Sequence, residues 1–385
     1  MNKKVVVIGA GIVGASCAYR LAKGGADVRI LERAAAPATE ATGKSAAGVR
    51  HQFSHRVNVA MSLYSTRAFS SFEQELGVDA GYRKVGYLFL VSPDVWTQWQ
   101  AQAEMQRALG ARVDLLNVEV LAERFPYLNL AGLAGATLGL DDGVVDPHAV
   151  TMGYLQGAKG WGSSLHLRTE VRGLSFARGR WRVETDEGTF YADAIINAAG
   201  AYAGEIGKLA GLDVPVTPYR RNVYATGPLS DFPHPSPLMI DQATGVWLRS
   251  EGTRFIMGLA NEDEPPSKRQ GVDWAWLECL LERALPRFPF LERAGLDAKA
   301  CWAGLYAMTS DHLPILGEAQ TCPGFFNACG FSGHGVQHSP ATGHILASEV
   351  LGGPHGFDLE DFRLERFVGR GGSSPPKNPS EHNVV

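Results

Sequence analysis

Two kinds of hydrophobic pattern alternate along the chain. Runs at 5–8 and 194–197, continuously apolar apart from Asn197, are typical of strands that are buried on both faces of a parallel sheet. Each run is followed by a glycine turn and by a stretch with helical spacing, which extends to Lys23 and Leu209, respectively. Alternating apolar and polar positions within 165–191 instead predict an antiparallel ribbon. Together these patterns indicate an α/β fold.

Further elements are predicted on the same grounds. Asp146 followed by Pro147 is typical of a helix start, because aspartate caps a helix and proline fits its first turn. The glycine-rich stretch 330–335 is expected to open a last helix toward Leu351. The predicted helices are 57–76, 94–109, 146–159, 274–285 and 335–351, and the additional strands are 26–31, 86–91 and several between 214 and 258.

The first strand leads into the motif Gly9-Ala10-Gly11-Ile12-Val13-Gly14. With 45 glycines in 385 residues, this glycine spacing occurs about 0.6 times by chance, so the spacing alone is weak. Its context is stronger, because the motif joins a strand to a helix and Glu32 ends the next strand. Gly9 would make the tight turn, Gly11 would let a pyrophosphate approach the backbone, and Gly14 would let the helix pack on the sheet. Glu32 would accept hydrogen bonds from ribose hydroxyls, and the competing interpretation is a βαβ unit without a ligand.

These strand–turn–helix units are dispersed along the chain. Segments 1–50, 145–210 and 300–365 share buried strands and glycine turns, whereas 51–144 and 211–299 are more polar and amphipathic. We therefore predict a Rossmann-like nucleotide-binding domain made of the first three segments. The two intervening segments are predicted to form a substrate domain with a mixed or antiparallel sheet and flanking helices.

Length and composition limit the function classes. A chain of 385 residues predicts two or three domains, and 45% apolar and 20% charged residues are typical of a soluble protein. The formal net charge is −4 and no long basic run is present, which argues against nucleic acid as a partner. Five scattered cysteines without CxxC spacing predict a reducing compartment, with neither a disulfide framework nor a metal site. Residues 369–385, rich in Gly, Pro and Ser, are predicted to form a disordered tail.

The N-terminus has two interpretations. A basic start at Lys3 and Lys4, followed by apolar and small residues, resembles a secretory signal. A strand, a glycine turn and a helix explain the same residues and also explain Glu32, so we favour this second interpretation. No stretch reaches the length of about 18 apolar residues that a membrane span requires. We expect a cytoplasmic protein without a transmembrane segment and leave a peripheral membrane contact open.

Four motifs occur in an order that resembles a known family. They are the unit from Gly9 to Glu32, Asn197-Ala-Ala-Gly200, Asp311-His-Leu-Pro-Ile-Leu-Gly317 and Gly330-Phe-Ser-Gly-His-Gly335. In this order they resemble the D-amino-acid oxidase superfamily of FAD enzymes over residues 1–365. The stretches 45–53, 304–311 and 330–343 further resemble its sarcosine oxidase and proline dehydrogenase branch. An NAD(P)-dependent dehydrogenase with the same N-terminal motif is the alternative.

The resemblance implies which residues bind FAD. Ser45, Ala46 and Ala47 correspond to backbone that passes the pyrophosphate and the flavin edge, and Val171 corresponds to the position that holds the adenine. Residues 333–337 would place a helix N-terminus at the pyrimidine edge of the flavin, where its positive end favours the anionic reduced form. The complete expected set is Gly9, Gly11, Ile12, Val13, Gly14, Glu32, Arg33, Ser45, Ala46, Ala47, Val171, Ala199, Gly200, Gly304, Gly333, His334, Gly335, Val336 and Gln337.

The chain also departs from the family. Relatives that tether FAD use a cysteine within the stretch matching Gly304-Leu305-Tyr306, or a histidine where this chain has Ser45, so FAD is expected to bind non-covalently. The arginine that holds the substrate carboxylate in D-amino-acid and glycine oxidases is replaced by Tyr306. A lysine of monomeric sarcosine oxidases is replaced by Gln337. Their oxygen-activating lysine aligns loosely with Ile256, which favours a dehydrogenase over an oxidase.

A substrate carboxylate still requires a cation. Arg50 is the first candidate, because it follows the stretch that crosses the flavin face and a guanidinium binds a carboxylate through two bonds. Arg249 is the second candidate, and for both arginines the competing interpretation is a surface salt bridge. His334 is expected to abut the flavin, Tyr306 either lines the pocket or packs, and His338 is expected to be structural. The candidate catalytic residues are therefore Arg50, Tyr306, His334 and Arg249.

The resemblance implies FAD-dependent oxidation of a small amino acid, with secondary or N-methylated amines such as sarcosine or proline favoured. The C–H bond of the neutral amine would deliver a hydride to flavin N5 and leave an imine. O2 or another redox carrier would accept the electrons. Two alternatives stay open: oxidation of primary D-amino acids or glycine, and a non-catalytic assembly role. The latter is considered because one branch with a similar glycine motif includes a mitochondrial respiratory-complex assembly factor.

Overall fold

The computed structural model describes residues 2–367, so the predicted tail at 369–385 lies outside the described residues. Within this range the chain forms helices α1–α9 and strands β1–β19. The helices are α1 Ile12–Lys23, α2 Arg56–Ser70, α3 Phe72–Leu76, α4 Trp96–Ala108, α5 Val118–Arg124, α6 Pro147–Gly160, α7 Ala203–Leu209, α8 Trp276–Ala284 and α9 Gly335–Leu351. The strands are β1 Lys4–Ile8, β2 Asp27–Leu31, β3 Gly48–Val49, β4 Tyr87–Val91, β5 Val113–Leu116, β6 Gly135–Gly139, β7 Gly143–Val144, β8 Ser164–His166, β9 Val171–Ala177, β10 Arg180–Thr185, β11 Gly188–Ala192, β12 Ala194–Asn197, β13 Thr217–Ala225, β14 Leu238–Asp241, β15 Trp247–Glu251, β16 Arg254–Gly258, β17 Trp302–Met308, β18 Ile315–Glu318 and β19 Phe325–Cys329.

A six-stranded sheet has the order β18-β19-β12-β1-β2-β8. All its pairings are parallel except that of β18 with β19. Helices α1, α6 and α9 pack together in the core on one side, and the ribbon β9–β11 covers the other. Because both faces are covered, β1 is an apolar run rather than an alternating one, as the sequence pattern predicts.

A second, eight-stranded sheet has the order β17-β13-β16-β15-β14-β4-β6-β5. It is mixed, because β14 pairs with β4 in parallel whereas the other neighbours are antiparallel. Its own core contains α8 and the aromatic residues Phe232, Phe255 and Phe290. The predicted fold class, a nucleotide-binding α/β unit with a mixed second sheet, is confirmed. Strand β17 joins this larger sheet although it lies in the 300–365 segment, and the division into domains stays a prediction.

Several local expectations were wrong. The predicted helix 57–76 breaks at Ser71, which ends α2 and precedes the separate α3. Strand β8 was expected in the ribbon but pairs in parallel with β2, so it extends the six-stranded sheet. Strands β5 and β6 were not predicted. The sequence of β6, Gly-Ala-Thr-Leu-Gly, has little β propensity, and its full burial between β4 and β5 is a tertiary effect.

Candidate functional site

A long cavity runs along the carboxyl ends of β1 and β2 and is bounded on its other side by β13 and β17 of the larger sheet. Outside the carboxyl ends of parallel strands is where α/β sheets bind their ligands. The cavity begins beside the glycine turn and ends at the N-terminus of α9. Its position, beside the glycine turn and at the carboxyl ends of the parallel strands, suits a dinucleotide.

The glycine turn is shaped by close backbone contacts. Gly9 has φ +106°, and a Cβ atom there would lie 2.5 Å from the carbonyl oxygen of Ala198. A Cβ atom on Gly14 would lie 2.0 Å from the carbonyl oxygen of Gly9, so this glycine serves the packing of α1 on the turn. The N–H of Ile12 donates to Thr42 Oγ1 at 3.1 Å. Gly11 and Val13 beside it also line the cavity, so the N-terminus of α1 lies at the cavity wall, which suits an anionic group.

Glu32 lies beside this turn at the end of β2. Its carboxylate accepts hydrogen bonds from the N–H groups of Ala10 and Ala34, both at 2.8 Å. It also lines the cavity, together with Val171 and Arg33. The guanidinium of Arg33 stacks 3.6 Å from the ring centre of Tyr202. Glu32 therefore shapes the glycine turn while keeping its carboxylate at the cavity wall.

The loop before β3 follows the cavity wall. Ser45 Oγ accepts a hydrogen bond from the N–H of Ala47 at 2.9 Å. Ala47 has φ +61°, a conformation that non-glycine residues rarely adopt, and it is buried. Lys44 in the same loop is hydrogen-bonded to Gln270, which in turn donates to Glu40 at 2.7 Å. The connection between β16 and α8, which contains Gln270, is therefore hydrogen-bonded to the loop before β3.

The far end of the cavity is formed by the start of α9. Gly333 has φ +94°, and a Cβ atom there would lie 2.5 Å from the ring of Tyr306, so this ring packs directly on the backbone. Gly335, Val336 and Gln337 of the first turn line the cavity. The N-terminus of a 17-residue helix thus points its positive end into the cavity.

Arg50 lies at this end and is only 2% exposed. Its backbone N–H donates to Gln337 Oε1 at 2.8 Å, and its Nη2 lies 3.1 Å from His334 Nε2. Its Nη1 donates to the carbonyl oxygen of Gln52. The guanidinium carbon lies 4.0 Å from the ring centre of Phe53, which is a cation–π contact. Arg50 is therefore held in one orientation by both the loop and α9.

Asp142 fixes the two residues that follow Arg50. Its carboxylate accepts from the backbone N–H of His51 at 2.8 Å and contacts His51 Nδ1 at 2.6 Å. Gln52 Nε2 donates to Asp142 at 3.0 Å and to the carbonyl oxygen of Tyr87 at 2.8 Å. Asp142 is fully buried, so it acts through His51 and Gln52 as a positioning residue for Arg50.

The histidines and the tyrosine at this end are electrically neutral. Burial lowers the pKa of His334 well below its ordinary value, and the charge of Arg50 adds to the shift. Burial also lowers the pKa of His338 to about 3. Burial raises the pKa of Tyr306, although the charges of Arg221 and Arg50 oppose this. The charged groups at this end of the cavity are therefore guanidinium ions.

The structure brings most of the predicted residues together. Two of the predicted residues do not line the cavity. Gly14 packs beneath the glycine turn. Arg249 donates to the Ala46 carbonyl oxygen at 2.7 Å and contacts Glu251 at 2.6 Å. His338 contacts Ser62 and the Phe53 ring rather than the cavity. The predicted residues that line the cavity are Gly9, Gly11, Ile12, Val13, Glu32, Arg33, Ser45, Ala46, Ala47, Arg50, Val171, Ala199, Gly200, Gly304, Tyr306, Gly333, His334, Gly335, Val336 and Gln337.

Other residues at the site were missed by the sequence analysis. Arg221 on β13 lines the cavity, and Thr42 receives the N–H at the start of α1. Asp142 lies behind Arg50. The alternation of Tyr219, Arg221 and Val223 along one strand was the available signal for Arg221. Neither Thr42 nor Asp142 has a comparable signal, because their contacts join segments far apart in the sequence.

The glycine turn, the carboxylate at the end of β2 and the long cavity define a dinucleotide-binding oxidoreductase. A family model described as DAO, FAD dependent oxidoreductase, matches residues 4–349. The chain therefore belongs to this family. The NAD(P)-dependent alternative is thereby excluded, and FAD is the cofactor.

Individual relatives agree with this assignment. FAD-dependent oxidoreductase domain-containing protein 1 of Xenopus laevis is 31% identical over 420 residues, which cover 94% of this chain and 82% of that protein. Mitochondrial dimethylglycine dehydrogenase of Homo sapiens is 29% identical, with 94% of this chain and 44% of that protein covered. The L-proline dehydrogenase structure from P. horikoshii is similar with a TM-score of 0.88 and 27% identity, over 95% of this chain and 98% of that one. Glycine oxidase from Geobacillus kaustophilus gives a TM-score of 0.83 and 26% identity, over 96% and 100%.

The residues present fit FAD. Gly9 and Gly11 of the glycine turn line the cavity without side chains, and the Glu32 carboxylate lies at the cavity wall beside them, where it could accept hydrogen bonds from a ribose. The cavity is long enough to connect this turn with the start of α9. In the part of the chain that the structure describes, no helix has the length and apolarity needed to cross a membrane.

Proposed function

We propose that this protein oxidises a small amino acid whose nitrogen is secondary or N-methylated, using non-covalently bound FAD. The observation that carries the proposal is the end of the cavity, where the Arg50 guanidinium lies 3.1 Å from His334 beside the first turn of α9. A carboxylate bound there would lie next to the N-terminus of α9, where we expect the flavin to bind. The relatives and structures that act on dimethylglycine, proline and glycine support an amino-acid substrate.

Arg50 would bind the substrate carboxylate through its planar guanidinium. Arg50 is favoured over Arg249, because Arg249 does not line the cavity and its guanidinium is engaged by the Ala46 carbonyl oxygen and by Glu251. Arg50 is already oriented by Gln52, His334 and the Phe53 ring, so little conformational freedom is lost when it binds an anion. It would hold the amino acid with its nitrogen and α-carbon facing the flavin site.

The electrostatics of the site favour a neutral amine. Arg50 and Arg221 are both near Tyr306, and positive charges disfavour protonation of a nearby amine. The neutral His334 adds no charge that would stabilise an ammonium ion. The amine would therefore bind with its lone pair free, and no side chain is required as a strong base.

When bound, FAD supplies the two-electron chemistry, accepting a hydride from the carbon next to the nitrogen. As that C–H bond breaks, the nitrogen lone pair forms the C=N bond of an iminium ion. A secondary amine would then lose its N–H proton to water and become an imine, whereas a tertiary amine would stay an iminium ion until hydrolysis. Tyr306 and His334 would exclude bulk water from the reacting carbon. The resulting imine would be hydrolysed or, for a ring substrate, retained. Ile256, which aligns loosely with the oxygen-activating lysine of related oxidases, is an apolar core residue and offers no such cation, so we infer a dehydrogenase that uses a carrier other than O2.

An anaerobic substrate screen tests the proposal. The FAD-loaded protein is mixed with sarcosine, L-proline, dimethylglycine, glycine and D-alanine, and the loss of the visible absorbance of oxidised flavin is followed. We expect the secondary and N-methylated amines to reduce the flavin faster than glycine or D-alanine. Faster reduction by the primary amines would replace the proposal with the primary-amine alternative. Reduction by none of them would favour the non-catalytic assembly role.

A further inference from the structure

Arg221 lines the same cavity as Arg50 but comes from the opposite wall, on strand β13. It is paired across the strands with Gly304 of β17, and its guanidinium carbon lies 5.4 Å from the ring centre of Tyr306. The charges of Arg221 and Arg50 both act on the phenol of Tyr306. The cavity therefore contains two guanidinium ions within electrostatic reach of one tyrosine.

Arg221 is poorly satisfied within the described part of the chain. Its Nη1 donates to the carbonyl oxygen of Arg220 at 3.0 Å, and its Nη2 contacts the sulfur of Met308 at 3.4 Å. Its Nε is buried without a partner, and no carboxylate among residues 2–367 forms an ion pair with it. A guanidinium has five N–H donors, so these two contacts use only a small share of the hydrogen bonds that Arg221 can donate.

The neighbouring arginine shows the contrast. Arg220 on the other face of β13 binds Glu264 at 2.7 Å and Asp273 at 2.9 Å. Burial lowers the pKa of Arg221, whereas the negative charges of surrounding groups, among them Glu264 and Glu262, oppose this shift. Buried cations normally have a close anionic partner, because desolvation is otherwise uncompensated. An anion bound in the cavity is therefore the expected partner of the Arg221 guanidinium.

We propose that Arg221 binds a second anionic group of the substrate, so that the preferred substrate is a secondary amine carrying two carboxylates. This inference rests on the proposed function, in which Arg50 binds the first carboxylate. A monocarboxylic amine would leave one of the two guanidinium ions without a close anion. A dicarboxylic amine would place one carboxylate at each guanidinium.

The test compares two amines that differ only in the second carboxylate, N-methylglycine and N-carboxymethylglycine. Binding is followed by the change in the visible flavin spectrum, and reduction is followed anaerobically. The native protein is expected to prefer N-carboxymethylglycine about tenfold or more, since a charge-assisted bond contributes this much. Arg221→Met should remove the preference mainly through KM, and Arg221→Lys should retain part of it.

Arg254→Met is the matched control. Arg254 lies on the same sheet and pairs with Asp297 away from the cavity lining. Its replacement by methionine removes the same charge as Arg221→Met. It should leave the preference unchanged. The FAD dissociation constant of each apoprotein is measured as well, and Arg221→Met should not alter it.

Three results would overturn the inference. They are equal effects of Arg221→Met on both amines, weakened FAD binding in that variant, and tighter binding of N-methylglycine than of N-carboxymethylglycine by the native protein. If neither amine reduces the flavin, the proposed function fails, and the binding measurements still decide whether Arg221 recognises the second carboxylate.

Discussion

Replacement of Arg50 gives the sharpest test of the candidate site. In Arg50→Ala, the substrate loses a charge-assisted hydrogen bond that contributes about 1.5–3 kcal/mol. Because about 1.4 kcal/mol corresponds to a factor of ten, kcat/KM should fall roughly tenfold to a hundredfold. Arg50→Lys keeps the charge but loses the planar two-point contact and the stacking on Phe53. Its kcat/KM should therefore lie between that of the native protein and that of Arg50→Ala.

The Arg50 variants should differ from the native protein in stability but not in FAD content. Arg50 is buried and contacts Gln52 and His334, so its removal leaves space in the loop and is expected to lower the melting temperature. FAD content should remain near that of the native protein, because the glycine turn lies at the other end of the cavity. Arg249→Lys is the matched control and should leave kcat/KM within about twofold.

The decisive comparison uses an amino acid and its amide. The amide lacks the carboxylate, so it should be a poor substrate for the native protein and no worse for Arg50→Ala. If Arg50→Ala lowers kcat/KM equally for the acid and the amide, Arg50 does not bind the carboxylate. It would then serve the flavin or the fold through His334 and α9.

Three further predictions follow from contacts elsewhere in the site. Glu32→Gln should weaken FAD binding by about 1–3 kcal/mol, because an amide cannot accept from both Ala10 and Ala34, and titration of the apoprotein with FAD measures this. Acid denaturation should release all flavin into the supernatant, and flavin retained on the polypeptide would contradict non-covalent binding. The pKa of His338 is lower in the folded protein than in the unfolded chain, so the unfolded chain binds this proton more readily. The free energy of unfolding should therefore fall by up to about 1.4 kcal/mol per pH unit once the pH drops below the ordinary pKa of histidine. Urea unfolding from about pH 7 to pH 5.5 should show a smaller loss for His338→Gln, and identical pH profiles would refute the assignment.

The sequence predicted those parts of the site that depend on neighbours in the chain. The turn from Gly9 to Gly14 and the acid at Glu32 belong to one βαβ unit, whose spacing is set by a strand, a helix and a strand. The start of α9 was equally visible, because Gly333 and Gly335 flank His334 in one short motif. Such local patterns carry the fold class and the position of the cofactor.

The rest of the site depends on contacts between distant segments. Asp142 is 91 residues from His51, and nothing in its own neighbourhood distinguishes it from a surface carboxylate. Arg221 reaches the cavity only because β13 pairs with β17, a register set by tertiary packing. Conversely, Arg249 follows a pattern suited to a binding strand, yet its guanidinium is engaged by Ala46 and Glu251. Side-chain partners of this kind are not encoded in periodicity.

The buried contacts around Arg50 connect the substrate end of the cavity to both sheets. Asp142 holds His51 and Gln52, Gln52 holds Arg50, and Arg50 contacts the first turn of α9 through Gln337. Each of these groups is nearly or fully buried, so their orientation is fixed before a substrate arrives. If the amine binds in its neutral form and no side chain acts as a strong base, as proposed, such preorganisation would contribute to the rate by aligning the reacting C–H bond. Loosening Asp142 should therefore impair catalysis through Arg50, although Asp142 itself touches no substrate.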